Sequence, residues 1–255
     1  EGELDEAPML YIGEKVGTTN GPEIDIAVDP LEGTNFAANN LPGALSVIAI
    51  AEKNNLFHAP ETYMEKISAK VNEKGVVDLD YSTRENIFNL CEYLNKKPES
   101  ITACVMDRPR HKDIIDELNI LGVKIKLITD GDVSGALLVT DDKYGVDIFL
   151  GIGGGPEGVL ASAALDTFEC SFQGRFLFHT EEDKRRANKM GITNLSKKYE
   201  LDEIVKGDSI FCATGITSGD LVSGIMTENN KFITETLVTH KSTGLKKIIK
   251  KVVNR

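Results

Sequence analysis

The sequence predicts an α/β fold of two lobes packed without a flexible joint. Three observations carry this. Between Ser82 and Leu165 strand-like and helix-like patterns alternate three times, as in an α/β layer with mainly parallel strands. In the last third, Asn229-Asn230 and Ser242-Thr243-Gly244 flank the run Ile233 to Thr239, as turns flank antiparallel strands. Acids gather just past the C-terminal ends of predicted strands, where open α/β sheets bind ligands.

Taken in order, Ile24, Ile26 and Val28 alternate with acids and Ala27 as a strand, which Asp29-Pro30 is expected to break. Leu45 to Ala51 reads as a strand buried on both faces. Residues 54 to 61 read as a turn, and 65 to 84 as a loop with a short strand at Val76 to Leu79. Ser82-Thr83-Arg84-Glu85 fits a capping box, and Ile87, Leu90, Cys91 and Leu94 share a helical face before Pro98. Strands follow at Ile101 to Met106, Val123 to Ile128 and Asp147 to Leu150. Helices are predicted at Lys112 to Leu121, through Ala136 and Leu137, and from about Pro156 to Leu165. Residues 180 to 198 read as a charged surface helix, and Ile210 to Ala213 as a strand. The lobes are expected at residues 1–80 and 81–255, the second an α/β lobe. The chain starts at Glu1 with no methionine and is expected to be part of a longer one.

The formal net charge of −11 leaves no basic excess for nucleic acid or a membrane surface. No run of apolar residues is long enough for a transmembrane helix. Cys91, Cys104, Cys170 and Cys212 show no C-x-x-C pairing and read as reduced thiols of a cytoplasmic protein.

Asp29 and Glu32 follow the first strand, Asp130 and Asp132 another, and Glu157 sits in the turn after a third. Such carboxylates repel one another unless cations sit among them, and hard divalent ions such as Mg²⁺ or Mn²⁺ prefer oxygen donors. Gly33-Thr34-Asn35 could open a short helix whose free N–H groups receive an anion. Metal and phosphate chemistry is therefore expected along Asp29-Pro30-Leu31-Glu32-Gly33-Thr34.

DPLEGT resembles the D-P-[IL]-[DE]-G-[ST] signature of the lithium-sensitive, metal-dependent phosphatases. EAPMLYIGEKVG, APETYMEK, MDRPRHK, DGDVSGAL, GIGGGPEGV and CATGIT follow the family's order. Together they resemble class II fructose-1,6-bisphosphatase across nearly the whole chain. The resemblance implies a layered α/β/α/β/α sandwich of the sugar-phosphatase type and hydrolysis of the 1-phosphate of fructose 1,6-bisphosphate. It also implies Mn²⁺ or Mg²⁺, lithium sensitivity, and a homo-oligomer, dimer or tetramer. Metal ligands fall on Glu1, Asp29, Glu32 and Glu157, with the backbone of Leu31 close by. The nucleophile-activating threonine falls on Thr34, and Asp5 matches a further acid near the site. Sugar and phosphate contacts fall on Glu32, Gly33, Thr34, Tyr63, Arg108, Pro109, Arg110, Asp130, Gly131, Asp132 and Gly154. Action on sedoheptulose bisphosphate stays open.

On the residues alone, Arg108 and Arg110 could clamp a remote phosphate or form a solvated basic turn. Tyr63 could be a half-buried ring, and Asp130 and Asp132 a turn and helix cap. Among His58, His111, His179 and His240 no pair has metal-ligand spacing, and His111 is the one expected near the site. Two rivals remain. Gly153 to Gly158 also matches G-x-G-x-x-G, a dinucleotide-binding pattern, but Glu157 would face a pyrophosphate with like charge, and room for a sugar phosphate explains the glycines better. A sugar-phosphate sensor without turnover is the other.

Overall fold

In the computed structural model, residues 10–18 and 20–255 are described. Glu1 and Asp5 lie outside the described residues. The first strand, β1 (Ile24–Glu32), does not stop at its proline. Among the described residues it is an edge strand, paired only with β2 (Leu45–Glu52), and the register shifts between Asp29 and Glu32. An edge strand at a bulge tolerates a residue without an N–H, so Pro30 bends β1 where it was expected to end it. α1 (Thr34–Ala38) lies between the two strands. β2 is buried on one face, through Leu45, Val47, Ala49 and Ala51, and half-buried on the other, not buried on both.

β3 (Tyr63–Ala69) was not foreseen, and Val76 to Leu79 is no strand. That segment turns instead, with Asp78 N donating to Asn86 Oδ1 at 2.8 Å. α2 (Thr83–Leu94) begins at the expected capping box: Glu85 N donates to Ser82 Oγ and Ser82 N to Glu85 Oε2. Then come β4 (Thr102–Met106), α3 (Lys112–Ile120), β5 (Lys124–Ile128), α4 (Asp132–Leu137), β6 (Ile148–Gly154) and α5 (Gly155–Thr167). β7 (Ser171–Leu177), α6 (Glu181–Lys189), β8 (Lys198–Glu200), α7 (Leu201–Ile204) and β9 (Ser209–Gly215) follow. The chain ends in β10 (Met226–Glu228), β11 (Lys231–His240) and β12 (Leu245–Asn254), joined by the turns expected at 229–230 and 242–244.

Among the described residues, two six-stranded sheets result. The first runs β1-β2-β9-β11-β10, with β12 also on β11, and every pairing in it is antiparallel. The second runs β5-β4-β6-β3-β7-β8. Only β5, β4 and β6 are mutually parallel. The unforeseen β3 runs antiparallel between β6 and β7, so the sheet is mixed and not mainly parallel.

α5 is buried on nearly every side and packs against β1, β2 and β9 as well as β3, β6 and β7. A helix apolar all round belongs between two layers. One core lies there, around Leu45, Val47, Phe149, Leu160, Phe172 and Phe211. A second core, with Ile67, Ile87, Leu90, Val105, Leu118 and Ile148, joins α2 and α3 to the other face of the second sheet. This is an α/β sandwich of sheet, helices, sheet and helices. The outer face of the first sheet carries exposed Ile24, Ile26 and Ile210.

Candidate active site

In a regular strand, residues three apart face opposite sides. Asp29 pairs with Val47 and Glu32 with Leu45, so three steps on β1 match two on β2. The extra residue flips the parity, so the Asp29 and Glu32 side chains face the same side and the Asp29 charge acts on Glu32. Asp29 Oδ1 also accepts from Leu31 N at 3.0 Å. The spacing in DPLE is thus the spacing that a bulge turns to one side.

α1 and α4 start alike. Gly33 and Gly131 are their N-caps, both left-handed, at φ 77° and 82°. A Cβ on Gly33 would stand 2.8 Å from Phe36 Cδ2, and one on Gly131 3.0 Å from Phe36 Cε2. Glycine is required at both for conformation and for space, and Phe36 wedges the two turns together. Asp130 Oδ2 accepts from Asn35 N at 3.0 Å, so one of the amides expected to receive an anion is already engaged. Thr34 is the first helical residue, exposed, and not the cap.

Glu32, 5% exposed, reaches the start of α4, where its Oε1 accepts from Val133 N at 2.7 Å. Asp132, 7% exposed, is ion-paired with Lys66 of β3, which is 1% exposed. Glu157 stands in the first turn of α5 and not in a loop. Among the described residues, Asp132 Oδ1 and Glu157 Oε2 are buried without a protein partner. The glycines of β6 make room for these acids: a Cβ on Gly153 would lie 1.9 Å from Asp132 Oδ2, and one on Gly154 1.9 Å from Glu157 Oε2. Carboxylates, rather than sugar, occupy the space the glycines leave.

Burial pushes the Glu32 carboxyl well above its usual range, and the charges of Asp132, Asp29 and Glu157 push the same way. Burial also raises Asp29 and Glu157. The Leu31 amide opposes the rise in Asp29, and the Lys66 ammonium the rise in Glu157. Crowded buried oxygens, two of them unpartnered, fit a hard divalent cation. Among the described residues no three acids yet close into a metal cage.

Arg110 marks a second region. Its Nε and Nη2 donate to Ile152 O at 2.9 and 2.8 Å, and its guanidinium lies 4.9 Å from the centre of the Tyr63 ring. Arg108 Nη1 donates to Asp107 O, and Pro109 opens the short turn Pro109–His111. His111 is fully buried. It must carry its proton on Nδ1, which faces Met106 O at 2.7 Å, because Nε2 accepts from Ile152 N at 2.7 Å. Burial lowers its pKa. It fastens the arginine turn to β4 and β6.

A cavity of about 330 Å³ lined by Phe36, Leu45, Ile128, Leu138 and Val222 touches Asp130 but none of Asp29, Glu32, Asp132 or Glu157. Its lining is mainly apolar, and the cluster of buried acids lies outside it. Lys66 is the residue that sequence reasoning missed. Its signal was there: Met64, Lys66 and Ser68 share the parity of a buried strand face.

An α/β sandwich with buried carboxylates beside an exposed hydroxyl is the framework of a phosphatase. The chain belongs to the family of bacterial fructose-1,6-bisphosphatase, glpX-encoded, whose description matches residues 1–253. It is 42% identical over 263 residues to the D-fructose 1,6-bisphosphatase class 2/sedoheptulose 1,7-bisphosphatase of Synechococcus sp. (strain JA-3-3Ab), covering 93% of this chain and 76% of that protein. The protein of the same description from Prochlorococcus marinus (strain MIT 9301) is 42% identical over 252 residues, with the same coverage.

Proposed function

We propose that this chain hydrolyses the 1-phosphate of fructose 1,6-bisphosphate, giving fructose 6-phosphate and phosphate. The observation that carries the reading is the β1 bulge, which brings Asp29 and Glu32 together beside Thr34 at the start of α1. Asp29, Glu32 and Glu157, with the Leu31 backbone and with Glu1, would hold Mn²⁺ or Mg²⁺. Such an ion polarises a phosphoryl oxygen and steadies a leaving oxygen.

The remaining steps belong to the chain itself. The Thr34 hydroxyl, exposed and free of a capping role, orients the attacking water in line with the sugar oxygen. Asp5 is a further acid of the site. Asp130 and Asp132, at the same turn, accept from sugar hydroxyls. Gly33 and Gly131 bring the backbone close to substrate, while Gly154 makes room for the Glu157 carboxylate beside it. Arg108 and Arg110, spaced by Pro109, the latter backed by Tyr63, hold the remote phosphate, because guanidinium forks match phosphate oxygens.

The dinucleotide reading loses its support. β6 and β7 flank β3 and do not pair with each other, so β6-α5-β7 is not an adjacent parallel unit. We extend the reading to a homo-oligomer in the cytoplasm, inhibited by lithium. No described helix is long and apolar enough to cross a membrane, and the four cysteines are free. Phosphate release from fructose 1,6-bisphosphate and from sedoheptulose 1,7-bisphosphate, measured side by side with Mn²⁺, tests the reaction and its breadth. Binding of both sugars without release of phosphate would leave a sensor instead of an enzyme.

A further inference from the structure

A lysine ammonium taken out of water must recover its lost hydration from fixed partners. Lys66 lies in the middle of β3 with its whole side chain buried. Its strand neighbours clear a path for it. Gly151 of β6 and Gly174 of β7 are its partners in register, and neither offers a side chain. A Cβ on Gly158 of α5 would already stand 3.4 Å from Lys66 Cε. The stem therefore runs between the second sheet and α5, and the ammonium ends on Asp132. It also acts on Glu157, whose carboxyl it stabilises in the charged form. Glu32 in turn feels both Asp132 and Glu157.

Asp132 is divided by this contact. Lys66 takes Oδ2, the oxygen that leans over Gly153, and Oδ1 remains buried without a partner among the described residues. Glu157 Oε2 is the other orphan of the cluster. We propose that Lys66 is the resident counter-cation of the acid cluster: it keeps Asp132 out of the metal-ligand set and sets how strongly Asp29, Glu32 and Glu157 draw a divalent ion. This rests on the metal-dependent reading above. Lys66 is a positioning residue, since its ammonium is spent on Asp132 and its surface is closed to substrate. Its positive charge offsets that of Asp132, so the ion meets the charge of the remaining carboxylates alone.

Calorimetric titration of the EDTA-treated, dialysed chain with Mn²⁺ tests this through a ladder of charge. Asp132→Asn leaves the Lys66 charge uncompensated, and Mn²⁺ binds about 10-fold or more weakly than in the parent. Lys66→Met/Asp132→Asn removes both charges and returns the affinity to within about threefold of the parent. Lys66→Met alone binds Mn²⁺ about 10-fold or more tightly where it folds. If Lys66→Met fails to fold, the other two variants still decide the matter. A double variant that binds Mn²⁺ as weakly as Asp132→Asn overturns the proposal, because Asp132 would then be a ligand and the Lys66 charge unfelt. A parent that binds no Mn²⁺ removes the metal-dependent reading itself, which is a different result. A simple buried structural pair would alter melting temperature without this reversal of affinity.

Discussion

At the centre of the molecule, Glu32 and Asp132 keep only 5% and 7% of their surface in contact with solvent, while Arg110 stands exposed against Tyr63. Both regions are rich in charge, and both are proposed to hold a phosphate. The acid corner is desolvated, so its carboxyls shift upward and its geometry is fixed by a bulge, two glycine caps and a buried lysine. The arginine edge is solvated and fixed by two hydrogen bonds to one carbonyl and by a ring face. Charges in the first region act on each other strongly because little water screens them. Those in the second act mainly on what arrives. The proposed function places the reacting groups in the first region and substrate selection in the second.

That division can be broken by substitution. The largest effect is expected at Thr34. Thr34→Ala should lower kcat by about 10²-fold or more, the scale of a positioned proton-transfer group, while Thr34→Ser keeps much of the turnover. Melting temperature should hardly move, because Gly33 and not Thr34 caps α1. A Thr34→Ala protein that turns over at the parent rate with saturating Mn²⁺ would remove the acid corner from the chemistry.

Arg110→Ala should raise KM for the bisphosphate by about 10- to 100-fold, with a much smaller effect on a monophosphate. Equal effects on the two substrates would deny the edge its role in selection. Gly153→Ala probes the corner without touching a charge. Its new Cβ would sit 1.9 Å from Asp132 Oδ2, so the carboxylate must leave Lys66. A loss of about 1–3 kcal/mol in stability is expected, read by thermal or denaturant unfolding. An unchanged melting temperature would mean that the pair tolerates displacement.

The smallest effect is a pH dependence. The folded-state carboxyl of Glu32 titrates above its ordinary value of 4.5, so between the two values the folded, ion-free chain holds a proton that the unfolded chain has lost. Stability from this group is therefore lost as pH rises through that window. Glu32→Gln mimics the protonated form, so in EDTA its melting temperature should gain on the parent as pH rises from 4.5. A difference that stays constant with pH would place the Glu32 carboxyl in the ordinary range.

Much of the acid corner was legible because its residues lie close in sequence. Asp29, Glu32 and Thr34 fall within one hexapeptide, and Asp130, Gly131 and Asp132 within another short run. What joins them was not legible. Pro30 reads as a strand breaker until β1 is seen to be an edge strand with a bulge. β3 was hidden because Glu65 and Lys66 give it the look of a loop, and the desolvation of Lys66 is met by Asp132, distant in sequence, on α4. The glycines of β6 were read as space for a ligand, when they are space for Asp132 and Glu157. Each error arises where a partner distant in sequence overrides a local preference. The capping box at Ser82, settled within four residues, shows the opposite case.

The central claim is that the buried carboxylates serve a divalent ion in phosphate hydrolysis. Phosphate release from fructose 1,6-bisphosphate by the whole chain should vanish in excess EDTA and return on adding Mn²⁺ or Mg²⁺ beyond the chelator. Full activity in excess EDTA would contradict it.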